Sequence, residues 1–417
     1  MTGAAWIDAA LTSARPQAVA ALLRYFRDLD IAEEAFQDAC LRALKTWPQK
    51  GVPRDPAAWL IFVGRNVAID AVRRRNRHEA LPPEDVLSDL EDTEPELAER
   101  LDSADYRDDL LRLLFICCHP ELPPSQQIAL ALRIVSGLSV QQIARAFLVS
   151  EAAMEQRITR AKNRIAGGGV PFETPSPAQR TRRLAAVATM IYLLFNAGYS
   201  ASGDGAALRG PLCEEAIRLM RLLLRIFPGE PEMMGLTALL LLQHSRARAR
   251  LDADGCIVLL EDQDRSLWDR KLIAEGLALV DKALRHTSPG PYQVQAAIAA
   301  LHSRAERAAQ TDWSEIDLLY STLERLQPSP VVTLNRSVAV AKVHGPQAAL
   351  VMIEPLAPRL SGYFHFHGAR GAYLQQLGHL EEAREAFQRA VSLANTAAEA
   401  AHIRSHLDRI RIGQPSG

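Results

Sequence analysis

The stretch "LSVQQIARAFLVSEAAMEQRITRAKNRI", residues 138–165, constrains the fold of this chain more than any other. Ser139 precedes an apolar residue and Gln142 stands three positions after it, the pattern in which two side chains cap a helix start reciprocally. Ile143, Ala144 and Phe147 give the short helix that follows one apolar side. Ser150 is a second N-cap residue, with Glu151 in the first turn, where the helix dipole favours a carboxylate. A short helix is therefore expected to meet a longer one through a tight apolar corner, the layout of a helix-turn-helix.

On the longer helix, Met154, Ile158, Ala161 and Ile165 recur at spacings of four, three and four and make one stripe for the core. Opposite lie Gln156, Thr159 and Asn163, with Arg160 slightly to one side. Arg157 and Arg164 occupy one flank and Lys162 the other. A helix that enters a DNA major groove needs this arrangement, with polar groups at the centre for base edges and cations beside them for phosphates. A solvated amphipathic helix would share the pattern, but not the capped short helix before it.

The remainder reads as helical almost throughout. Of 417 residues, 48% are hydrophobic, enough for two or three domains with cores of their own, and β-branched runs are scarce, so an all-α fold is expected. The formal net charge is −1, so a DNA-binding role requires a partner to supply much of the phosphate neutralisation. Five dispersed cysteines, Cys40, Cys117, Cys118, Cys213 and Cys256, argue against a disulfide framework and for a reducing cytoplasm. The opening "MTGAAWIDAA" has no signal-peptide pattern, and the longest apolar run, Leu184 to Phe195, is too short to span a bilayer; no membrane association is expected.

Composition divides the chain into a helical segment, residues 1–80, an acidic linker, 81–104, and a unit with the helix-turn-helix, 105–166. A Gly- and Pro-rich linker, 167–178, then precedes a helical array, 179–417. In the array, "GYFHFHGARGAYLQQLGHLEEAREAFQRAVSLAN" resembles a tetratricopeptide repeat, with Gly371, Gly378, Ala383, Phe387 and Ala390 at small and aromatic packing positions. Asn395 replaces the repeat's proline, and Tyr373 is one place off its tyrosine. "LCEEAIRLMRLLLRIFP" and "PVVTLNRSVAVAKVHGPQAAL" supply two more degenerate copies. "RLDADGCIVLLEDQDRSLWDR" is expected to form a small hairpin around Asp254 and Gly255.

In the first segment, "DPAAWLIFVGRNVAIDAVRRRNR" starts a helix with Asp55 as N-cap and Pro56 in the first turn. Its polar side collects Asn66, Asp70, Arg73 and Arg77, and Trp59, Val63 and Val67 serve the buried side. Before it, "TWPQKGVPRD" reads as a loop, and "DLDIAEEAFQDACLRAL" as an amphipathic helix with Glu33, Glu34, Gln37 and Asp38 on its exposed face.

These elements, in this order, resemble the extracytoplasmic-function sigma factors, which direct core RNA polymerase to alternative promoters. "DIAEEAFQDACLRALKTWP" and "DPAAWLIFVGRNVAIDAVRRRNR" resemble sigma region two, and "LPPSQQIALALRIVSGLSVQQIARAFLVSEAAMEQRITRAKNRI" resembles region four. "FNAGYSASG" and "LEDQDRSLWDR" are similar to a subgroup with a fused C-terminal TPR-like domain. The resemblance implies that Glu33, Glu34, Gln37 and Asp38 face core polymerase. It places Trp47, Lys50, Arg54, Asn66, Asp70, Arg73, Arg74 and Arg77 at the −10 element, where a base leaves the stack. It places Ser150, Gln156, Arg157, Thr159, Arg160, Asn163 and Arg164 at the −35 duplex, with Arg160 the best base contact and Arg157 and Arg164 on phosphate. Glu155 stands where relatives often carry a cation; it either accepts from a cytosine amino group or faces polymerase.

The resemblance thus implies an alternative sigma factor, not an enzyme, with core RNA polymerase and promoter DNA as partners. The TPR-like domain would take a regulatory protein or ligand and either restrain or assist initiation. The rivals are a helix-turn-helix activator with a helical sensor domain and an enzyme or scaffold dominated by the array. No cofactor is implied. "CCHP" at Cys117 lacks a second ligand pair for zinc, "GYSASG" lacks the second glycine and the strand of a nucleophile elbow, and "DADG" at Asp252 lacks the other ligands of a calcium loop.

Overall fold

The computed structural model describes residues 5–51, 53–77, 103–119, 121–147, 149–167, 177–199, 204–252, 257–286, 288–394 and 396–412. Among them the protein is all-α, with one isolated antiparallel bridge between Leu251 and Ile257. That bridge flanks the expected hairpin, whose Asp254 and Gly255 lie outside the described residues, as does the acidic segment between 78 and 102. No described helix is long and apolar enough to cross a membrane. The chain divides into two compact units, Met1–Leu193 and Leu194–Gly417.

The first unit begins with three mutually packed helices, α1 (Ala5–Phe26), α2 (Leu29–Lys50) and α3 (Pro56–Arg77). Asp28 caps α2 by accepting from the Asp30 and Ile31 amides. Asp55 caps α3 as its sequence predicts, its Oδ1 accepting from the Ala58 amide at 3.0 Å. The two helices approach closely at Gly64, where a Cβ would stand 2.9 Å from the Ala35 carbonyl oxygen.

Helix α4 (Ser103–Cys117) packs on α1 and buries Leu110, Leu113, Leu114 and Phe115. Cys117 and Cys118 lie in the same core, where burial pushes the Cys118 thiol up to about 12 and raises that of Cys117 well above its usual value. Helices α5 (Pro124–Ile134), α6 (Val140–Ala146) and α7 (Glu151–Gly167) follow, and α8 (Pro177–Tyr199) runs across the division between the units. The capping box is formed in full: Ser139 Oγ accepts from the Gln142 amide at 3.1 Å and Gln142 Oε1 from the Ser139 amide at 2.8 Å. Ser150 Oγ accepts from the Ala153 amide at 3.2 Å, and Met154, Ile158, Ala161 and Ile165 are all buried.

The second unit continues through α9 (Asp204–Ile226), α10 (Pro231–His244), α11 (Arg270–Ala283), α12 (Pro291–Arg304), α13 (Trp313–Leu326) and α14 (Pro330–His344). It ends with α15 (Pro346–Ile353), α16 (Ala357–Leu360), α17 (Phe364–Gln376), α18 (Leu380–Leu393) and α19 (Ala397–Ile412). Helix α10 is buried on all sides from Met233 to Leu242, which is why its sequence shows no polar face. The α17–α18 pair closes on Gly371, whose missing side chain makes room for the Phe387 ring. Ala383, Phe387 and Ala390 are fully buried beneath that contact.

A Cβ at Gly371 would meet the Phe387 ring at 2.7 Å, and that ring has no free space to move into. Gly371→Val is therefore expected to destabilise the second unit by about 1–3 kcal/mol through overpacking. The check is a lower urea midpoint for the transition of that unit.

Candidate functional site

Helix α7 presents Gln156, Thr159, Arg160 and Asn163 to solvent, opposite its buried stripe. Arg157 is half-buried beside them, and Arg164 is exposed while donating to the Glu121 carbonyl at 3.1 Å. That bond ties α7 to the turn before α5. The Ser150 hydroxyl is engaged at the helix start, so its first role is to hold α7 in place.

Lys162, on the other flank, is not open to a phosphate. Its Nζ donates to Asp30 Oδ1 at 2.5 Å and to Glu33 Oε2 at 3.0 Å, both on α2. Burial pulls the Lys162 amine down, but the two carboxylates outweigh it and the net shift is upward.

Glu33 corrects an expectation. It does not share the exposed face of α2; it is 4% exposed. Its Oε1 meets Arg133 at 2.9 Å and Arg15 at 3.5 Å, and its Oε2 meets Lys162 at 3.0 Å. Arg15 also donates to the carbonyls of Ile134 at 3.0 Å and Arg133 at 3.2 Å, and its guanidinium lies 4.9 Å from the Phe36 ring centre. Three cations from α1, α5 and α7 thus converge on one carboxylate of α2. Their combined charge is what allows Glu33 to be buried.

Glu34 and Gln37 are exposed and Asp38 is half-buried, as an outward face requires. Two residues missed in the sequence join them: Leu41, 59% exposed, and Leu44, 51% exposed. Leu41 follows Glu34, Gln37 and Asp38 by seven, four and three positions, so it lies on the same stripe. Apolar side chains left open beside carboxylates form a surface suited to a protein partner.

Trp47 is a second correction. It lies in α2, which continues to Lys50 before Gly51, at φ 88°, stops it by donating to the Trp47 carbonyl. Trp47 is 2% exposed and packs edge-on against Trp59 at 5.3 Å. The expected loop is therefore shorter, and the ring supports α3 from inside. Pro48 sits in the final turn, too near the helix end to interrupt it. Lys50 and Arg54 are exposed around that loop, and Asn66 is half-buried on α3. Asp70, Arg73, Arg74 and Arg77 fall on the last turns of the same helix, where the description extends to the backbone alone.

These positions coincide with matches to known families. Residues 11–78 match the family model for sigma-70 region 2, and residues 112–165 match that for sigma-70 region 4. The chain thus carries segments similar to both sigma-70 region 2 and sigma-70 region 4, in that order. The capped α6–α7 pair lies within the region 4 match, and α2 and α3 lie within the region 2 match. Core RNA polymerase and promoter DNA are the partners that sigma-70 regions imply. Residues 183–284 match a family of unknown function, DUF6596. An uncharacterized protein of Rhizobium meliloti (strain 1021) is 72% identical over 410 residues, covering 98% of this chain and 97% of its own length. No solved structure matches the chain.

In sigma terms, the Glu33 network joins region 2 to region 4. Glu33→Gln keeps the shape but leaves Arg15 buried without its counter-ion, so a loss of about 3–5 kcal/mol is expected in urea unfolding of the full chain. Lys162 gives a pH test. Its value is raised on folding, so its contribution is complete below the ordinary lysine value of about 10.4 and is lost as pH rises through the folded value. Wild type and Lys162→Met should therefore differ in Tm at neutral pH and converge only above the ordinary lysine range.

Proposed function

We propose that this protein is an alternative sigma factor of the extracytoplasmic-function type, which binds core RNA polymerase and directs promoter-specific initiation. The observation that carries this reading is the pairing, in one unit, of a capped helix with an outward polar face and a second helix with an outward acidic and apolar stripe. The first suits a DNA groove and the second a protein partner.

On α7, Arg160 is the residue to read a base edge, with Gln156, Thr159 and Asn163 around it and Arg157 and Arg164 on phosphate. On α2, Glu34, Gln37 and Asp38 with Leu41 and Leu44 form the polymerase contact. Lys50, Arg54, Asn66, Asp70, Arg73, Arg74 and Arg77 would surround the base taken from the −10 element, with Trp47 behind them as a packed wall. The carboxy-terminal helical array is read as a TPR-like domain that modulates activity. Its support is the Gly371–Phe387 close approach and the packing of successive helices around it.

Run-off transcription with sigma-free core polymerase, on DNA upstream of the protein's own gene cluster, tests the reading. The full chain should yield a discrete transcript. Arg160→Ala should lower it about tenfold, in keeping with about 1–3 kcal/mol for a good base contact. Leu41→Glu with Leu44→Glu should abolish capture by core polymerase and leave the fold unchanged by circular dichroism. Absence of a transcript beside a working control sigma, with activation of a housekeeping holoenzyme instead, would favour an activator.

A further inference from the structure

The sigma reading leaves "FNAGYSASG" and "LEDQDRSLWDR" without a role. In the second unit Tyr199, from the first stretch, and Asp269, from the second, each bond to residues at the end of α10, Gln243 and Ser245. The Tyr199 hydroxyl donates to Gln243 Oε1 at 2.8 Å, and Arg246 Nη2 donates to the Tyr199 hydroxyl at 2.9 Å and to Gln243 Oε1. The Arg250 guanidinium lies 3.6 Å from the centre of the Tyr199 ring, and its Nη1 donates to the Tyr199 carbonyl at 2.5 Å. Arg265, 8% exposed, donates to the carbonyls of His302 at 2.5 Å and Ala305 at 2.6 Å and stacks over Trp268 at 4.6 Å. Arg270 reaches the Arg265 carbonyl at 3.4 Å.

Among the described residues, Arg246, Arg250 and Arg265 form no ion pair with a carboxylate. Three of the nearby acids are engaged elsewhere. Asp264 caps its own turn at the Ser266 amide, Asp269 caps α11 at Lys271 and Leu272, and Glu261 pairs with Lys342. Glu214 and Asp269 act on His244. The charges that bear on Arg265 are those of Arg246 and Arg270, both cations. Three buried polar atoms of the same neighbourhood, Gln263 Oε1, Trp268 Nε1 and His302 Nδ1, have no hydrogen-bond partner.

Arg265 is buried and Arg246 and Arg250 are half-buried; cations withdrawn from water without a carboxylate partner are costly, and carbonyls, a phenol and ring faces answer only part of that cost. The missing component is an anion. Guanidinium forks suit the paired oxygens of phosphate and carboxylate alike. We propose that the second unit binds a small oxyanion, a phosphate or a carboxylate, between Arg246 and Arg265, with Arg250 and Arg270 beside it. This would be the ligand site of the domain read above as regulatory, and the binding test does not depend on transcription.

The experiment is isothermal titration of the full chain with inorganic phosphate, and separately with citrate, against chloride at matched ionic strength. Saturable binding of either anion is expected, and the one that binds identifies the group recognised. Arg246→Met and Arg265→Met should each weaken it at least tenfold, and Arg248→Met, an exposed neighbour, should not. Should either variant misfold, the His302 imidazole reports in the wild-type chain, assigned with His302→Gln. Burial, and then Arg246 and Arg265, hold it down to about 4. An anion that offsets those arginines must raise it toward the ordinary histidine value of about 6.5. Absence of saturable binding beyond chloride, binding undiminished in folded Arg246→Met and Arg265→Met, or a His302 titration unmoved by the anion would overturn the proposal.

Discussion

A carboxylate as deeply placed as Glu33 must be neutralised, or the helix that carries it cannot pack. The chain meets this requirement with groups distant in sequence: Arg15 from α1, Arg133 from the end of α5, and Lys162 from the middle of α7. Arg15 does two things at once. While facing Glu33 it donates to two of the last carbonyls of α5, satisfying groups that every helix end leaves open. The three-helix bundle and the helix-turn-helix are thereby fastened at one point, and the Arg24–Asp109 pair, at 3.3 Å, adds a second tie between α1 and α4.

What the network removes from solvent defines what remains for partners. Lys162 is spent, so the cations that α7 can offer to phosphate are Arg157, Arg160 and Arg164. Such a modest basic face agrees with a net charge of −1 and with a DNA grip shared with polymerase. On α2 the inward side goes to Glu33 and Phe36, and the outward side keeps Glu34, Gln37, Leu41 and Leu44. The two open faces are legible as binding surfaces because the network has already accounted for the charges between them.

The features read correctly from sequence are those whose cause is local. A serine and a glutamine three apart, or an aspartate before a proline, determine a helix start through bonds that close within one turn. The buried stripe of α7 follows from spacing alone. Glu33 was not legible, because on its own helix it is one of several acids; only residues from three other helices make it interior. Two prolines and a glycine make "TWPQKGVPRD" read as a loop that includes Trp47, yet the helix continues past Pro48 and stops only at Gly51. Leu41 and Leu44 were legible in principle, since their spacing from Glu34 puts them on the acidic stripe, but apolar residues in an amphipathic helix invite the assumption of burial.

The two units treat buried arginine in opposite ways, and the contrast carries the argument for a ligand. In the first, Arg15 faces a carboxylate that also serves Arg133 and Lys162, with Asp30 completing the set. Charge and counter-charge are there built into the same fold. In the second, Arg246, Arg250 and Arg265 gather beside Tyr199 and Trp268, while Asp264 and Asp269 cap helices and Glu261 pairs with Lys342. Stability alone would favour an apolar residue of similar volume at such positions. Cations that have no carboxylate partner among the described residues are suited to a molecule that supplies one on arrival. An anion bound there, as proposed, would make the stability of the unit depend on ligand concentration, and that dependence is what a sensing role would use.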